Sequence, residues 1–428
     1  MEFNVLDKNL RGNEMDNVKN QSNDHIDYLD LCPGCKSDAI TVLKKPYERK
    51  VQVTEGDDMS VTTGVSGCES CGLTFLNPRM GQKTLQKYYL KQSRIPRVEV
   101  KDDEPLAQLM DIQCDFIEKF KPIKKDMKIL EVGCAEGFFL QLLSKKNDVK
   151  LYGVELSKKY IEQAKRNIPD VVMFESMLEK TNFDVLKFDL IILRHVFEHL
   201  NDPQEALKKI STLLTSDGAL YLEVPDCEDI DPSIAKYYHH EHLSYFTSPV
   251  LINHLKSNAF TPIVCERFRQ NPIGSGMAYP VLRALSQNGE SVSKGDFSSY
   301  AKKIYADNMK KEDTYLNSII PPVKTRLHEL NDNNLKIGVF GAGPHTMDLL
   351  ELLEDDNIRW DKMFDNNPNK HGKFMHGIPI VKPDTESLNS VDCILFSSKE
   401  FEKEMFQQVH SLAGKQIETI TLYGNYAI

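Results

Sequence analysis

The chain has 428 residues, 27% of them charged, and a formal net charge of -10. That length exceeds one ordinary hydrophobic core and predicts two or three packed units, while the acidic balance argues against nucleic acid as a partner. No run approaches the roughly 18 apolar residues of a membrane span and no basic-then-apolar leader opens the chain, so no membrane is expected and the cytoplasm is the expected compartment.

Residues 1–28 are rich in Asn, Asp and Lys and read as a disordered tail, because they can bury too little surface to offset the entropy of ordering. Residues 29–80 read as a zinc-binding module. They contain Cys32-Pro-Gly-Cys35 and Cys68-Glu-Ser-Cys71, separated by 32 residues, in a turn-rich stretch too short for an apolar core of its own. Each pair can curl into a knuckle that offers two thiolates to a tetrahedral ion, so Cys32, Cys35, Cys68 and Cys71 are the expected ligands of a structural zinc. A redox dithiol is the alternative. The other five of the nine cysteines are scattered, which suggests buried thiols and no disulfide framework.

Residues 81–270 read as one α/β domain. Leu85 to Phe120 is mainly helical in pattern. Strands are then predicted at Lys128 to Gly133, Lys150 to Leu156, Val171 to Glu175, Asp189 to Leu193 and Ala219 to Val224, with helices after most of them. Such alternation predicts a Rossmann-like parallel sheet covered on both faces.

The first of these strands enters Glu131-Val-Gly133-Cys-Ala-Glu-Gly137 and then a helix. Gly133 permits a sharp turn and Gly137 a close approach of ligand to the helix start. Glu155, about twenty positions on at the end of the next strand, can accept both hydroxyls of a ribose. That order also describes a dinucleotide enzyme. Glu131 ahead of the turn, together with His195-Val-Phe-Glu-His199-Leu-Asn-Asp-Pro203 after the fourth strand, resembles the class I methyltransferases. The resemblance implies S-adenosylmethionine as cofactor, with Glu131 near its sulfonium and Glu155 on its ribose. The string from His195 to His199 also matches an inverted zinc-protease signature, but that site needs one helix to carry both histidines, and here the string caps a strand.

Beyond the fifth strand, Tyr237-Tyr-His-His-Glu-His242-Leu-Ser-Tyr-Phe246 packs three imidazoles and a carboxylate into four positions. If extended, it points His240 and His242 to one side and Glu241 to the other. A second metal site and a solvated loop are the competing readings. Residues 271–335 read as a helical bridge, with Asp296 to Leu330 charged and helical in pattern. Residues 336–428 open a second Rossmann-like domain: Lys336-Ile-Gly-Val-Phe-Gly341-Ala-Gly343-Pro-His-Thr346 enters a helix, and Asp365 follows the next strand where a ribose-reading acid would sit. Thr346 replaces the third glycine of a dinucleotide turn, and Asn366 to Gly372 with Gly377 to Ile380 resemble the substrate-side domain of sugar C-methyltransferases, which implies a wall of the acceptor site rather than a second cofactor site; an inert packing domain is the other reading.

The double cysteine pair, the glycine turn, the His-Glu-His-Leu-Ser-Tyr-Phe stretch and the second glycine-rich opening together resemble the sugar C-methyltransferases that act on nucleotide-linked 4-keto-6-deoxyhexoses. The resemblance covers almost the whole chain after residue 30. It implies His242 as general base, Glu241 assisting and His199 lining the same site. His239 stands where the family has a tyrosine, and Tyr88 or Tyr89 is the nearest match to a further family tyrosine. The expected acceptor is a nucleotide sugar or related small keto compound. The alternatives are an O- or N-methyltransferase on a small metabolite, and a protein that binds S-adenosylmethionine without turnover. The chemistry is consistent: a ketone becomes a carbon nucleophile when a base removes the adjacent proton, and histidine titrates in the right range for that base.

Overall fold

A computed structural model describes residues 26–54, 57–92, 97–102, 104–230, 232, 237–270, 279–289, 295–353 and 357–424. Of the predicted tail, residues 1–25 lie outside this set, and Ile26–Asp27 (β1) is a strand. The cysteine segment is less turn-rich than expected, for Ile40–Thr54 (β2) and Asp57–Cys68 (β3) form a long antiparallel hairpin. Thr74–Leu76 (β4) adds to β3, and Arg79–Met80 (β5) pairs with β1. This hairpin sheet takes its remaining strand, Ser244–Tyr245, from far along the chain. The module is therefore not a separate unit. Cys32, Cys68, Cys71, Leu73 and Phe75 share one apolar cluster with the central domain.

Two helices follow, Gln82–Gln92 (α1) and Pro105–Phe120 (α2). Proline at the first helical turn suits α2, since the missing N–H would be unpaired there anyway. The central sheet then unfolds close to expectation, with Lys128–Val132 (β6), Lys150–Glu155 (β7), Val172–Glu175 (β8), Phe188–Arg194 (β9) and Leu214–Pro225 (β10), all parallel. Leu190, Ile191, Ile192 and Leu193 of β9 are fully buried, as a central strand covered on both faces requires. Helices Phe138–Lys146 (α3), Lys158–Asn167 (α4) and Pro203–Leu213 (α5) connect the strands; the Asp202 carboxylate caps α5 by accepting from the Glu205 amide.

Two departures are instructive. The sheet does not end at residue 270: Phe260–Gln270 (β12) and Tyr279–Asn288 (β13) add two antiparallel strands, giving the order β12-β13-β10-β9-β6-β7-β8. The sheet is thus mixed rather than parallel, and part of the predicted bridge belongs to it. The long strand β13 buries Val281, Leu282, Ala284 and Leu285 against β10, while its charged neighbour Arg283 pairs with Glu266 across the edge. Between β10 and β12 lie Ser244–Tyr245 (β11) and Ser248–Ser257 (α6).

The rest of the bridge is one helix, Tyr300–Asp332 (α7). Its first half buries Ala301, Ile304 and Asn308 toward the module and central domain, and its second half packs Ile320, Val323, Leu327 and Leu330 into the core of the C-terminal unit. That unit is a doubly wound sheet. Ile337–Phe340 (β14) leads through Pro344–Leu352 (α8) to Trp360–Phe364 (β15), followed by Phe374–Met375 (β16), Ile378–Val381 (β17), Thr385–Asn389 (α9), Cys393–Phe396 (β18), Glu402–Leu412 (α10) and Glu418–Ile420 (β19). Strands β17, β15, β14, β18 and β19 lie parallel in that order. No described helix is long and apolar enough to cross a membrane.

Candidate active site

The carboxyl ends of β6, β7, β9 and β10 meet at the point where the strand order reverses, the usual ligand crevice of such sheets. At the end of β6, Gly133 takes φ 69° and a Cβ there would lie 2.5 Å from Val196, so only glycine fits. Gly137 takes φ 75° at the start of α3, where a Cβ would lie 3.1 Å from Ala164. Glu155 stands at the end of β7. Its Oε1 accepts from the amides of Leu156 and Ser157, both at 2.8 Å, and its Oε2 from Ala135 at 3.1 Å in the glycine turn. Burial raises its pKa, against the pull of those three amides.

Glu131 is 1% exposed, and its Oε1 accepts from Arg194 Nε at 3.0 Å and Nη2 at 2.7 Å. Burial pushes its carboxyl up and Arg194 opposes the shift. This pair extends inward, because Arg194 Nη1 donates to Gln113 Oε1 at 2.9 Å and Gln113 donates to Glu223 Oε1 at 2.6 Å. Tyr221 donates to the other Glu223 oxygen at 2.9 Å. Arg194, Gln113, Tyr221 and Glu223 escape a sequence reading, since an isolated polar residue in an apolar strand carries no spacing signal.

His195 follows β9 with φ 52°, a left-handed conformation uncommon for a side-chain-bearing residue. Its ring lies between two buried carboxylates, with Nδ1 3.5 Å from Glu198 and Nε2 3.4 Å from Glu223. Burial disfavours its charge, yet the two carboxylates outweigh burial and push its pKa up to about 10. The same Nε2 also lies 2.6 Å from the side-chain amide of Gln270, so three buried groups fix the ring. The next residues form a short 3-10 turn, Phe197–His199, not a helix that carries both histidines, so the protease arrangement does not form.

The histidine segment is a turn rather than a strand. The His242 amide donates to the His239 carbonyl at 3.3 Å, which brings the His239 and His242 rings to 3.9 Å between centroids. The expected pairing of His240 with His242 on one side is corrected accordingly. His240 instead turns with Glu241 toward α1, where the Tyr88 hydroxyl donates to Glu241 Oε1 and lies 3.1 Å from His240 Nε2. His199 completes the cluster, its ring 4.9 Å from that of His242. Its Nδ1 is 2.8 Å from the Glu241 carbonyl and 2.9 Å from the Tyr89 hydroxyl. A carbonyl only accepts, so Nδ1 carries the proton and Nε2 faces Glu198 Oε1 at 3.6 Å. Burial pushes the Tyr89 phenol well up, so it stays protonated. His242 is driven the other way: burial first, then His239 and His199, hold its pKa well below the usual imidazole value.

The four module cysteines bring their sulfurs within 4.8 Å of one another, with Cys32 to Cys71 at 3.6 Å and Cys35 to Cys68 at 3.5 Å. Sulfurs at the corners of a tetrahedron with bonds of about 2.3 Å would be roughly 3.8 Å apart, so the donor set fits a zinc ion. Glu198, His199 and His242 also approach one another within 4.8 Å. In the C-terminal unit, Asp365 Oδ2 accepts from Ala342 N at 2.8 Å and from Lys370 Nζ at 3.0 Å, and its Oδ1 accepts from Asn367 N. The acid placed to read a ribose is thus already engaged by a lysine.

Comparison with known proteins agrees with this geometry in the central domain. Residues 107–263 match the family model of a methyltransferase domain, and residues 333–418 match one described as C2185-like, N-terminal. A ubiquinone biosynthesis O-methyltransferase of Coxiella burnetii is 26% identical over 122 residues, 28% of this chain and 51% of its own. One of Pelagibacter ubique is 32% identical over 109 residues, 24% of this chain and 43% of its own. The chain spans about half the length of the curated relatives it matches. Among solved structures, an S-adenosylmethionine-dependent methyltransferase from Mesorhizobium loti aligns with TM-score 0.36 and 14% identity, over 44% of this chain and 99% of its own. The match identifies residues 107–263 as a methyltransferase domain.

Proposed function

We propose that the protein transfers a methyl group from S-adenosylmethionine to a carbon atom of a nucleotide-linked keto-sugar or related keto compound. The observation that carries this reading is His242: an imidazole kept neutral by its surroundings, beside His239 and His199, at the carboxyl edge of a methyltransferase sheet. A neutral imidazole is the form that can take a proton, and a carbon acid needs a base where an already nucleophilic amine does not. His242 removes the proton beside the ketone, with the His239 ring packed against it, while the Glu241 backbone carbonyl fixes the tautomer of the adjacent His199. The cofactor supplies a methyl already activated by its sulfonium. The chain supplies position: the Gly133 to Gly137 turn and Glu155 hold the adenosine end, and Glu131, through Arg194, fixes the floor beneath the sulfonium.

A zinc ion on Cys32, Cys35, Cys68 and Cys71 would hold the module in register with β11, and so with the histidine segment that precedes it. The C-terminal unit would bind the nucleotide or sugar of the acceptor. Incubation with cofactor carrying a carbon-13 methyl and a nucleotide-linked 4-keto-6-deoxyhexose tests the reading. A carbon-bonded methyl signal in the product supports it. A labelled methoxy or N-methyl product with small metabolites would favour the O- or N-methyl alternative, and tight cofactor binding with no turnover would favour a non-catalytic role.

A further inference from the structure

Glu198 is a buried carboxylate that the reaction above leaves unused. It is 1% exposed, and neither of its oxygens has a hydrogen-bond partner among the described residues. A carboxylate so placed is unfavourable unless something compensates it. On one side lies His195, whose Nδ1 is 3.5 Å from Oε1. The same oxygen lies 3.6 Å from His199 Nε2. Because His199 uses its Nδ1 proton on the Glu241 carbonyl, Nε2 presents a lone pair to a carboxylate oxygen, and the contact becomes favourable only when a proton enters between them. The His199 ring also abuts the His242 ring, 4.9 Å away between centroids and nearly at right angles.

We propose that Glu198 and His199 form the proton store of the active site, receiving from His242 the proton taken from the acceptor. The inference rests on His242 acting as base. The acceptor C–H bond breaks and its proton goes to His242. The electron pair left behind forms the new carbon–methyl bond, and the pair of the broken methyl–sulfur bond stays on sulfur. The proton then passes from His242 to His199 Nε2, facing Glu198, and leaves to water as products depart. His195, set between Glu198 and Glu223, holds Glu198 in place but does not move a proton; it is a positioning residue. The store resets His242 to its neutral form inside a closed site.

Rapid-quench analysis of the full-length protein with Glu198→Gln tests this, because the amide keeps the shape but cannot compensate a proton on His199. The first turnover should stay within about threefold of wild type, whereas steady-state kcat should fall roughly tenfold or more, giving a burst that wild type lacks. A first turnover slowed as much as kcat in Glu198→Gln would assign Glu198 a merely structural part and overturn the store. Unchanged kcat would overturn it too. If wild type itself makes no carbon-methylated product, the reading of function fails instead. The remaining rival is a metal on Glu198, His199 and His242: stoichiometric Mn2+ binding seen by paramagnetic resonance, and lost in Glu198→Gln, would replace the proton store with a cation site.

Discussion

The Tyr89 hydroxyl lies 2.9 Å from Nδ1 of His199, although 110 positions separate the two residues. Helix α1, which leaves the cysteine module, thereby reaches into the histidine cluster and helps fix the tautomer of one of its members. Replacement by phenylalanine removes this contact and the longer one to the Glu241 carbonyl. Tyr89→Phe should lower kcat by about tenfold, the cost of a hydrogen bond near 1 kcal/mol plus a looser ring, while cofactor affinity stays unchanged. Calorimetric titration alongside steady-state kinetics checks the split. Equal loss of cofactor binding would mean the helix supports the whole domain and not this cluster.

Glu155 should matter for cofactor affinity by more than about 1 kcal/mol, since a carboxylate held by three backbone amides is pre-aimed at a ribose. Titration of Glu155→Ala with S-adenosylhomocysteine measures this. Unchanged affinity would mean the ribose lies elsewhere.

One zinc per chain is expected by metal analysis, and Cys32→Ser with Cys68→Ser should abolish it. The same double variant should lose methylation. Phe75 and Thr74 pair with Ser244 and Tyr245, so a module without its ion releases the strand next to His242. Retained zinc in that variant would contradict the ligand set.

The two perturbed histidines predict opposite pH effects. His195 has a folded-state pKa raised to about 10, so its contribution to stability is complete below the unfolded value near 6.5 and is lost as pH rises through about 10. His242 has a lowered folded-state pKa, so it costs stability as pH falls below about 6.5, where the unfolded chain binds the proton more readily. Urea unfolding across pH should therefore show an alkaline decline that is reduced in His195→Gln and an acid decline that is reduced in His242→Asn. Parallel wild-type and variant curves would contradict both assignments.

Asp365→Ala should not alter binding of reduced nicotinamide cofactors, because none is expected: Lys370 already occupies the carboxylate. Fluorescence titration that finds micromolar binding, lost in this variant, would restore the dinucleotide reading.

Much of the central domain was legible because its signals are local. Gly133, Gly137 and Glu155 lie within one β-α-β unit, where glycine turns and strand ends have fixed spacing, and the apolar run of β9 announces a buried strand. The two added antiparallel strands were harder. Phe260–Gln270 runs from an apolar stretch, Pro262 to Cys265, into the charged Glu266, Arg267 and Arg269 at a sheet edge, and Tyr279–Asn288 interrupts a buried run with Arg283, which pairs with Glu266 only once the strands are side by side. The histidine turn departs from an extended segment for a related reason. An extended chain and a turn place His239, His240 and His242 on different sides, and the choice is made by Tyr88 and Tyr89, which sit about 150 positions upstream. The Arg194, Gln113 and Glu223 network exists only where three distant elements meet.

Proton exchange at the acceptor carbon tests the central claim most directly. With an inert analogue of S-adenosylmethionine and a keto-sugar in deuterium oxide, the wild-type protein should replace the carbon-bound proton with deuterium while forming no methylated product. His242→Asn should lose this exchange by at least about a hundredfold and keep its affinity for the cofactor. Exchange at the wild-type rate in His242→Asn would contradict the assignment of the base, and an acceptor proton that never exchanges while a methylated oxygen or nitrogen product accumulates would contradict carbon methylation itself.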